Sequence, residues 1–282
     1  MKVPRRARRL SVALPSSLVS EFSHLRQKTE VVGQIARSAS IFRVDEVIIY
    51  HDEPDESSLI RTLLSYMETP QYLRKYLFGM RPELQYAGIL PPLRTPHHPL
   101  GNRVGDLEVG EHREGVVVNE REGECLIDIG VDTSLRTTGR APSKGSRVTV
   151  RVTEKHPDLR GAFAKQGEVD EYWGYRVRAA KAGLASVATD GGYGLTIATS
   201  RNGMPYNEAR ESLSKGWLDA KSILVAFGSP RRGIDEILRR EGGSTGDAFR
   251  FNVNMMPSQG CETVRTEEAL HATLAILNLL EA

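Results

Sequence analysis

The chain has 282 residues, of which 39% are hydrophobic, enough for one large or two moderately sized cores. Its 38 Lys and Arg residues against 36 Asp and Glu residues give a net charge of only +2, which by itself argues for no polyanionic partner. Cys125 and Cys261 are too few and too far apart for a disulfide framework or a zinc site, and no apolar run approaches the roughly 18 residues of a membrane span. We therefore expect a soluble, intracellular (cytoplasmic) protein without a membrane or a metal as partner.

The first part of the chain has the pattern of a β-α-β unit. Residues 10–14 alternate like a strand, and a helix is expected to begin at Ser16 or Ser17 as its N-cap. Apolar residues then recur at helical spacing over 32–42, and residues 46–50 return to a strand.

The next segment is predicted to be helical and then to change character. Residues 56–80 show helical periodicity with one break, and the acidic residues 52–56 before them are interpreted as a solvated loop. Four prolines within residues 91–99 exclude a helix and indicate an extended crossing between domains. His97 and His98 lie in this crossing without an acidic residue or cysteine at ligand spacing, so a hinge role is expected rather than a metal.

Residues 104–153 lack a helical period and contain short alternating runs, separated by glycine-containing turns, that predict a small inserted β-barrel. Barrels that bind single-stranded nucleic acid commonly stack bases on aromatic side chains. No Phe, Tyr or Trp occurs between Gly101 and Gly161, so any RNA contact of this segment is expected to be electrostatic.

Two clusters of basic residues are candidates for such contacts, because each phosphate contact releases a counterion. The alternative, a solvated tail and an ordinary charged β-surface, carries about equal weight for either cluster alone. The candidate RNA-binding residues are Arg5, Arg6, Arg8 and Arg9 at the N-terminus and Arg136, Arg140, Lys144 and Arg147 in the barrel segment.

The α/β alternation resumes from Tyr172, with strands predicted at 172–177, 195–199, 222–227 and 249–253, and helices at 178–187, 206–215, 233–240 and 265–281. The last two strands end abruptly in loops of small and polar residues, which is typical of a sheet edge that presents backbone amides to a ligand. The final helix is apolar around most of its circumference and should be buried on more than one side, plausibly against a second subunit.

Those two strand ends, Ile223-Leu-Val-Ala-Phe-Gly-Ser-Pro-Arg-Arg-Gly233 and the segment from Phe251 to Ala269, resemble the second and third motifs of the SPOUT methyltransferases. Further segments resemble the archaeal and eukaryotic branch of that family, which carries an inserted OB-like domain; these are Leu10–Pro15, Gly33–Phe42, Thr69–Leu73, Gly88–Pro99 and Tyr172–Tyr175. The resemblance implies an α/β fold with a C-terminal trefoil knot, an S-adenosylmethionine cofactor and a homodimer.

The domain organisation expected on this basis is a basic arm at 1–9, a discontinuous methyltransferase domain at 10–96 and 168–282, and an OB-like barrel at 97–167. The resemblance places the cofactor in three loops, and Arg201 in the first of them is the residue we expect to matter for catalysis. The cofactor-binding candidates are Thr199, Ser200, Arg201, Phe227, Gly228, Asn254, Met255, Gln259 and Thr263. Val at position 228 is expected to block the ligand and leave the fold intact.

By resemblance, the expected function is S-adenosylmethionine-dependent methylation of RNA, with a uridine of large-subunit ribosomal RNA as the target. Methyl transfer from a sulfonium is an in-line displacement that depends on positioning and on removal of the acceptor's proton. Glu262 is the sole acid in the last loop before the helix, and no general base is assigned. The alternative is a non-catalytic RNA-binding or scaffold protein that retains the knotted fold.

Overall fold

The computed structural model describes residues 3–121, 123–139 and 142–281. The chain divides into two compact units by its internal contacts. The barrel unit consists of Met1–Arg5, Glu68–Pro82 and Leu93–Gly174, and the sheet unit consists of Arg6–Met67, Glu83–Pro92 and Tyr175–Ala282. The predicted insertion at 97–167 lies within the barrel unit, which is larger than that insertion.

The sheet unit contains six parallel strands in the order β11-β9-β10-β1-β2-β8. The strands are β1 Arg9–Pro15, β2 Glu46–Tyr50, β8 Arg176–Ala179, β9 Leu195–Pro205, β10 Ser222–Ala226 and β11 Phe251–Asn254. The helices are α1 Leu25–Ile41, α2 Ser57–Glu68, α4 Leu184–Asp190, α5 Tyr206–Asp219, α6 Ile234–Arg240, α7 Thr245–Ala248 and α8 Thr266–Asn278. The predicted mixed α/β fold with a parallel sheet is confirmed.

The central strands of this sheet are apolar runs, because helices cover both faces of a parallel sheet. Residues 223–226 of β10 and 46–50 of β2 are all buried. On one face α8 packs against α1, where Ser38 Oγ lies 3.0 Å from His271 Nδ1. In the described part of the chain, each helix is too short or too polar to cross a bilayer.

The expectation of a helix from Ser16 or Ser17 was wrong, since α1 begins only at Leu25. Both serine hydroxyls are used elsewhere. Ser16 Oγ donates to the carbonyl of Asp52 at 2.7 Å and accepts from its backbone N–H at 2.9 Å, and Ser17 Oγ donates to the Asp52 carboxylate. Side-chain bonds of this kind compete with helix formation, and residues 16–21 form turns.

The barrel unit contains helix α3 Gln71–Leu77 and five strands that close into a barrel in the order β3-β4-β5-β7-β6. These are β3 His112–Arg121, β4 Glu124–Asp128, β5 Leu135–Thr138, β6 Arg147–Glu154 and β7 Arg160–Ala164. The sequence pattern predicted β3, β4 and β6 but neither β5 nor β7. β5 buries only Leu135 and Thr137, and β7 has no fully buried residue, so the local hydrophobic pattern of both strands is weak.

Candidate functional site

Three loops that carry the predicted cofactor-binding residues meet at one edge of the sheet. The strands β11, β9 and β10 are adjacent and parallel, so their carboxyl ends lie side by side. This is the edge at which open α/β sheets bind ligands. We call these segments the first loop (199–203), the second loop (227–233) and the third loop (255–265).

The first loop is a bulge within β9. Asn252 of β11 pairs with Ala198, but the next residue, Val253, pairs with Met204, so the five residues 199–203 loop out of the ladder. At its start the Thr199 hydroxyl donates to the carbonyl of Ala226 at 2.9 Å. The bulge therefore takes Ser200 and the exposed Arg201 out of the strand pairing.

Side-chain bonds connect the first loop to the third. Asn254 Nδ2 donates to the carbonyl of Arg201 at 2.9 Å, and Arg201 Nη1 donates to the carbonyl of Glu262 at 2.9 Å. The backbones also approach closely, because a Cβ built on Gly203 would lie 2.8 Å from backbone atoms of Asn252 and Val253. A side chain at 203 would push these two segments apart.

Hydrogen bonds from Tyr50 and Thr266 hold the second loop in place. Tyr50 is fully buried and donates its hydroxyl to the carbonyl of Phe227 at 2.8 Å. Burial, reinforced by the nearby Asp52 carboxylate, raises the pKa of Tyr50 well above its ordinary value, so the hydroxyl keeps the proton that it donates. Thr266, the first residue of α8, places Oγ1 3.3 Å from the carbonyl of Gly228.

Glycine is required at position 228 because the backbone of the second loop leaves too little room for a side chain there. A Cβ at this position would lie 2.9 Å from the carbonyl oxygen of Arg232 and 3.3 Å from Gly233 Cα. The expectation that valine here would leave the fold intact is therefore wrong, because the side chain would displace the second loop itself.

The third loop contributes both buried and exposed candidates. Met255 is buried, and the Asn254 carboxamide oxygen accepts the backbone N–H of Met256 at 3.0 Å. Gln259 Nε2 donates to the carbonyls of Cys261 at 2.8 Å and Glu262 at 3.1 Å. Thr263 is exposed. Eight of the nine cofactor-binding candidates thus lie in the three loops and the ninth, Asn254, ends β11, while several of their polar groups already serve to hold the loops together.

Sequence analysis missed one pair of charged residues at this edge. Arg232 Nη2, in the second loop, lies 2.5 Å from the Asp52 carboxylate, which follows β2. The interpretation of residues 52–56 as a solvated loop was wrong for Asp52, whose side chain is only 9% exposed. The available signal was an acid directly after a buried parallel strand, together with an arginine in the loop after another strand of the same sheet, two positions away.

The RNA-binding candidates of the barrel differ in how their charges are used. Arg147 bonds two buried carboxylates, with Nη1 2.6 Å from Glu68 and Nε 2.6 Å from Glu114. Arg136 and Lys144 are exposed, although Arg136 lies 3.7 Å from Glu124. Arg140 lies outside the described residues.

The N-terminal candidates are also bonded within the protein. In the sheet unit, Arg6 is buried and donates to the carbonyl of Phe42 at 2.8 Å and to Asn278 Oδ1 at 2.9 Å. Its guanidinium also lies 3.4 Å from the Glu281 carboxylate. Arg8 donates to the carbonyl of Leu218 at 2.9 Å.

The two remaining arginines are more accessible. Arg9 has an exposed side chain beside Glu46, at 2.8 Å. In the barrel unit, the exposed Arg5 donates to the carbonyl of Gln166 at 3.2 Å.

His97 and His98 take part in the buried cluster of the barrel unit. Both Nε2 atoms reach the carbonyl of Glu68, at 2.9 and 2.7 Å. Burial, together with the neighbouring His97, lowers the pKa of His98 to about 3, so its ring is neutral at physiological pH. Among the residues that the structure describes, no group of three or more His, Cys, Asp or Glu side chains is arranged to hold a metal ion.

Comparison with known proteins identifies the family to which the chain belongs. A family model described as "Putative RNA methyltransferase" matches residues 9–277. An uncharacterized protein of Halobacterium salinarum is 36% identical over 290 residues, which covers 96% of this chain and 99% of that protein. The 28S rRNA (uridine-N(3))-methyltransferase of Homo sapiens is 33% identical over 302 residues, covering 95% of this chain and 77% of that protein. Its Drosophila melanogaster counterpart is 32% identical and covers 95% of this chain and 61% of that protein. The chain therefore belongs to this family of RNA methyltransferases.

Proposed function

We propose that this RNA methyltransferase uses S-adenosylmethionine to methylate N3 of a uridine in large-subunit ribosomal RNA. The relatives from Homo sapiens and Drosophila melanogaster carry that activity in their names. The structural observation that carries the proposal is the convergence of the three loops, in which Arg201 is bonded to Glu262 and Asn254 is bonded to Arg201.

The three loops fit a cofactor held mainly by main-chain groups. The first loop interrupts β9 and the other two follow β10 and β11, and the first loop approaches β11 so closely that only glycine is tolerated at 203. We propose that the pocket is lined by Thr199, Ser200, Arg201, Phe227, Gly228, Asn254, Met255, Gln259 and Thr263. Buried Phe227 and Met255 supply apolar surface, and the exposed Arg201 and Thr263 supply polar groups.

The chemistry asks little of individual side chains. When bound, S-adenosylmethionine supplies a methyl group on a sulfonium, and the protein has to hold the acceptor nitrogen in line with it. Arg201 is fixed by Glu262 on one side and by Asn254 through its carbonyl, and it still has an exposed side chain. We propose that it positions an RNA phosphate or the cofactor carboxylate, for which a guanidinium is well suited.

We also propose a C-terminal trefoil knot and an OB-like barrel domain. The bulge at 199–203 and the close backbone contact of Gly203 with β11 support a C-terminal trefoil knot, which is rare in proteins. The closed five-stranded barrel supports an OB-like domain.

A homodimer is proposed from the surface of the last helix. Ala272 and Ile276 of α8 stay half-exposed, and Leu279 directly after the helix is 71% exposed. Apolar side chains that remain open on one chain are typical of a subunit interface.

The basic residues proposed to contact RNA are Arg5, Arg136, Arg140 and Lys144 of the barrel unit and, separately, Arg9 of the sheet unit. Arg6, Arg8 and Arg147 are bonded within the protein, and a surface that needs free guanidinium groups does not depend on them.

A methyl-transfer assay tests the proposal. Purified protein, radiolabelled S-adenosylmethionine and deproteinised large-subunit ribosomal RNA should give labelled RNA, and nuclease digestion should yield 3-methyluridine. Arg201→Ala should reduce the rate at least tenfold, whereas Arg210→Ala, an exposed arginine on α5, should not. RNA binding without methyl incorporation and without cofactor binding would favour the non-catalytic scaffold instead.

A further inference from the structure

The contact between Arg232 and Asp52 connects two segments that are 180 residues apart in the sheet unit. Arg232 Nη2 lies 2.5 Å from Asp52 Oδ1 and donates to the carbonyl of Glu53 at 2.8 Å. The two charged side chains are 18% and 9% exposed. At this degree of burial an ion pair is only weakly screened by solvent, so its geometry is well held.

Asp52 is itself fixed on the scaffold. Ser16 exchanges two hydrogen bonds with its backbone, at 2.7 and 2.9 Å, and Ser17 Oγ donates to its second carboxylate oxygen. These serines directly follow the central strand β1. Asp52 is therefore a rigid acceptor at the end of β2.

The backbone of Arg232 closes the second loop. Its N–H donates to Ser229 Oγ at 3.1 Å, and its carbonyl accepts the N–H of Ser229 at 2.9 Å. The same carbonyl oxygen is the atom that would lie 2.9 Å from a Cβ at Gly228. A shift of Arg232 would therefore be transmitted through its two hydrogen bonds to Ser229 and so to the adjacent Gly228.

We propose that the Asp52–Arg232 ion pair is a positioning device that holds the second loop in its cofactor-binding conformation. This inference rests on the proposed function, because it takes the second loop as part of the cofactor pocket. Neither residue is assigned to contact the cofactor. Their effect passes from the scaffold through the Arg232 side chain to its backbone and to Gly228.

A double-mutant cycle on cofactor affinity tests the pair. Asp52→Asn, Arg232→Gln and the double variant are titrated calorimetrically with S-adenosylhomocysteine at 15 °C, with circular dichroism to establish that each is folded. Each single variant should raise Kd at least tenfold. The Kd of the double variant should be about the same as that of either single variant, because one substitution already breaks the ion pair. Arg232→Lys, which keeps the charge, should recover part of the affinity.

Lys28 and Glu56 provide a matched control in the same unit. This ion pair is 2.6 Å long with side chains 17% and 18% exposed, but it lies between α1 and the residue before α2. Lys28→Gln should lower the unfolding midpoint without changing Kd.

The possible outcomes separate the two proposals. If the wild type binds S-adenosylhomocysteine and the folded Asp52 and Arg232 variants bind equally well, or if their effects multiply in the double variant, the positioning role is overturned. A wild type that binds no S-adenosylhomocysteine overturns the proposed cofactor pocket, and the positioning role with it.

Discussion

Replacing Arg147 by methionine should destabilise the barrel unit, although this residue belongs to a basic cluster that the sequence associates with RNA. Its guanidinium lies 2.6 Å from both Glu68 and Glu114, whose side chains are 9% and 6% exposed. Methionine retains much of the aliphatic volume and removes the cation. The two carboxylates would then remain buried without their main counter-charge.

The pKa of Glu68 gives the size of the effect. Burial alone would raise this pKa, but Arg147 and His97 lower it from 4.5 to about 2. A pKa difference of about 2.5 corresponds to roughly 3–4 kcal/mol at about 1.4 kcal/mol per pKa unit. The folded pKa is the depressed one, so this stabilisation is present above pH 4.5 and is lost as the pH falls toward 2. We expect Arg147→Met to lose about 3 kcal/mol at pH 7, within the range for breaking a buried ion pair.

The pH dependence of the free energy of unfolding should weaken in the variant. Without Arg147 the pKa of Glu68 should rise, because burial raises it and His97 alone is left to lower it. The difference in the free energy of unfolding between wild type and variant should therefore narrow as the pH falls from 7 toward 2.

Tryptophan fluorescence during urea unfolding measures the stability of the barrel unit by itself. The chain has two tryptophans, and Trp173 of the barrel unit donates its Nε1 to Glu114. In a Trp217→Phe background, Trp173 alone reports on the barrel unit. Arg151→Met is the control, because Arg151 is exposed on the same strand β6, and its change should stay below about 0.5 kcal/mol. Equal stability of the Arg147 and Arg151 variants at pH 7 would refute the reasoning.

Three further predictions follow from buried or exposed charges. The pKa of His98 in the folded protein is about 3, so the free energy of unfolding should fall as the pH drops below 6.5, by up to about 1.4 kcal/mol per pH unit. In urea titrations, His98→Gln should remove this slope between pH 6.5 and 5. Arg6→Met should destabilise the sheet unit by about 3 kcal/mol in urea titrations that follow Trp217, because it removes the buried cation at 3.4 Å from the Glu281 carboxylate and leaves Arg8 at 4.0 Å. Neutralising Arg136 and Lys144 together should weaken RNA binding and flatten the slope of log affinity against log salt by about 0.7–0.9 per lost contact, with cofactor affinity unchanged.

A specific result would contradict each of these three predictions. An unchanged pH slope in His98→Gln would mean that another group causes it. A change below about 0.5 kcal/mol in Arg6→Met would show that its bonds contribute little. An unaltered salt slope in the Arg136 and Lys144 variant would remove the barrel as the RNA surface.

Local pattern was sufficient for most of the sheet unit. The apolar runs at 46–50 and 222–227, each ended by turn or polar residues, predict buried parallel strands, and β2 and β10 lie there. The loops after β10 and β11 were recognised because small and polar residues follow buried strands directly, whereas the strand predicted at 195–199 continues to Pro205 beyond the first loop. Strand closure in the barrel was not predictable in the same way, since β5 and β7 are short and depend on their neighbours for pairing.

The partners of the charged residues were decided by the tertiary structure alone. Arg147 and Glu68 are 79 residues apart, and Arg232 and Asp52 are 180 apart. In the sequence, Arg147 was indistinguishable from its exposed neighbour Lys144. A charge buried by folding must find a counter-charge or hydrogen bonds, whereas an exposed one is solvated by water. Which of these applies depends on desolvation and on distant segments meeting, and neither is encoded in the residues beside the charge.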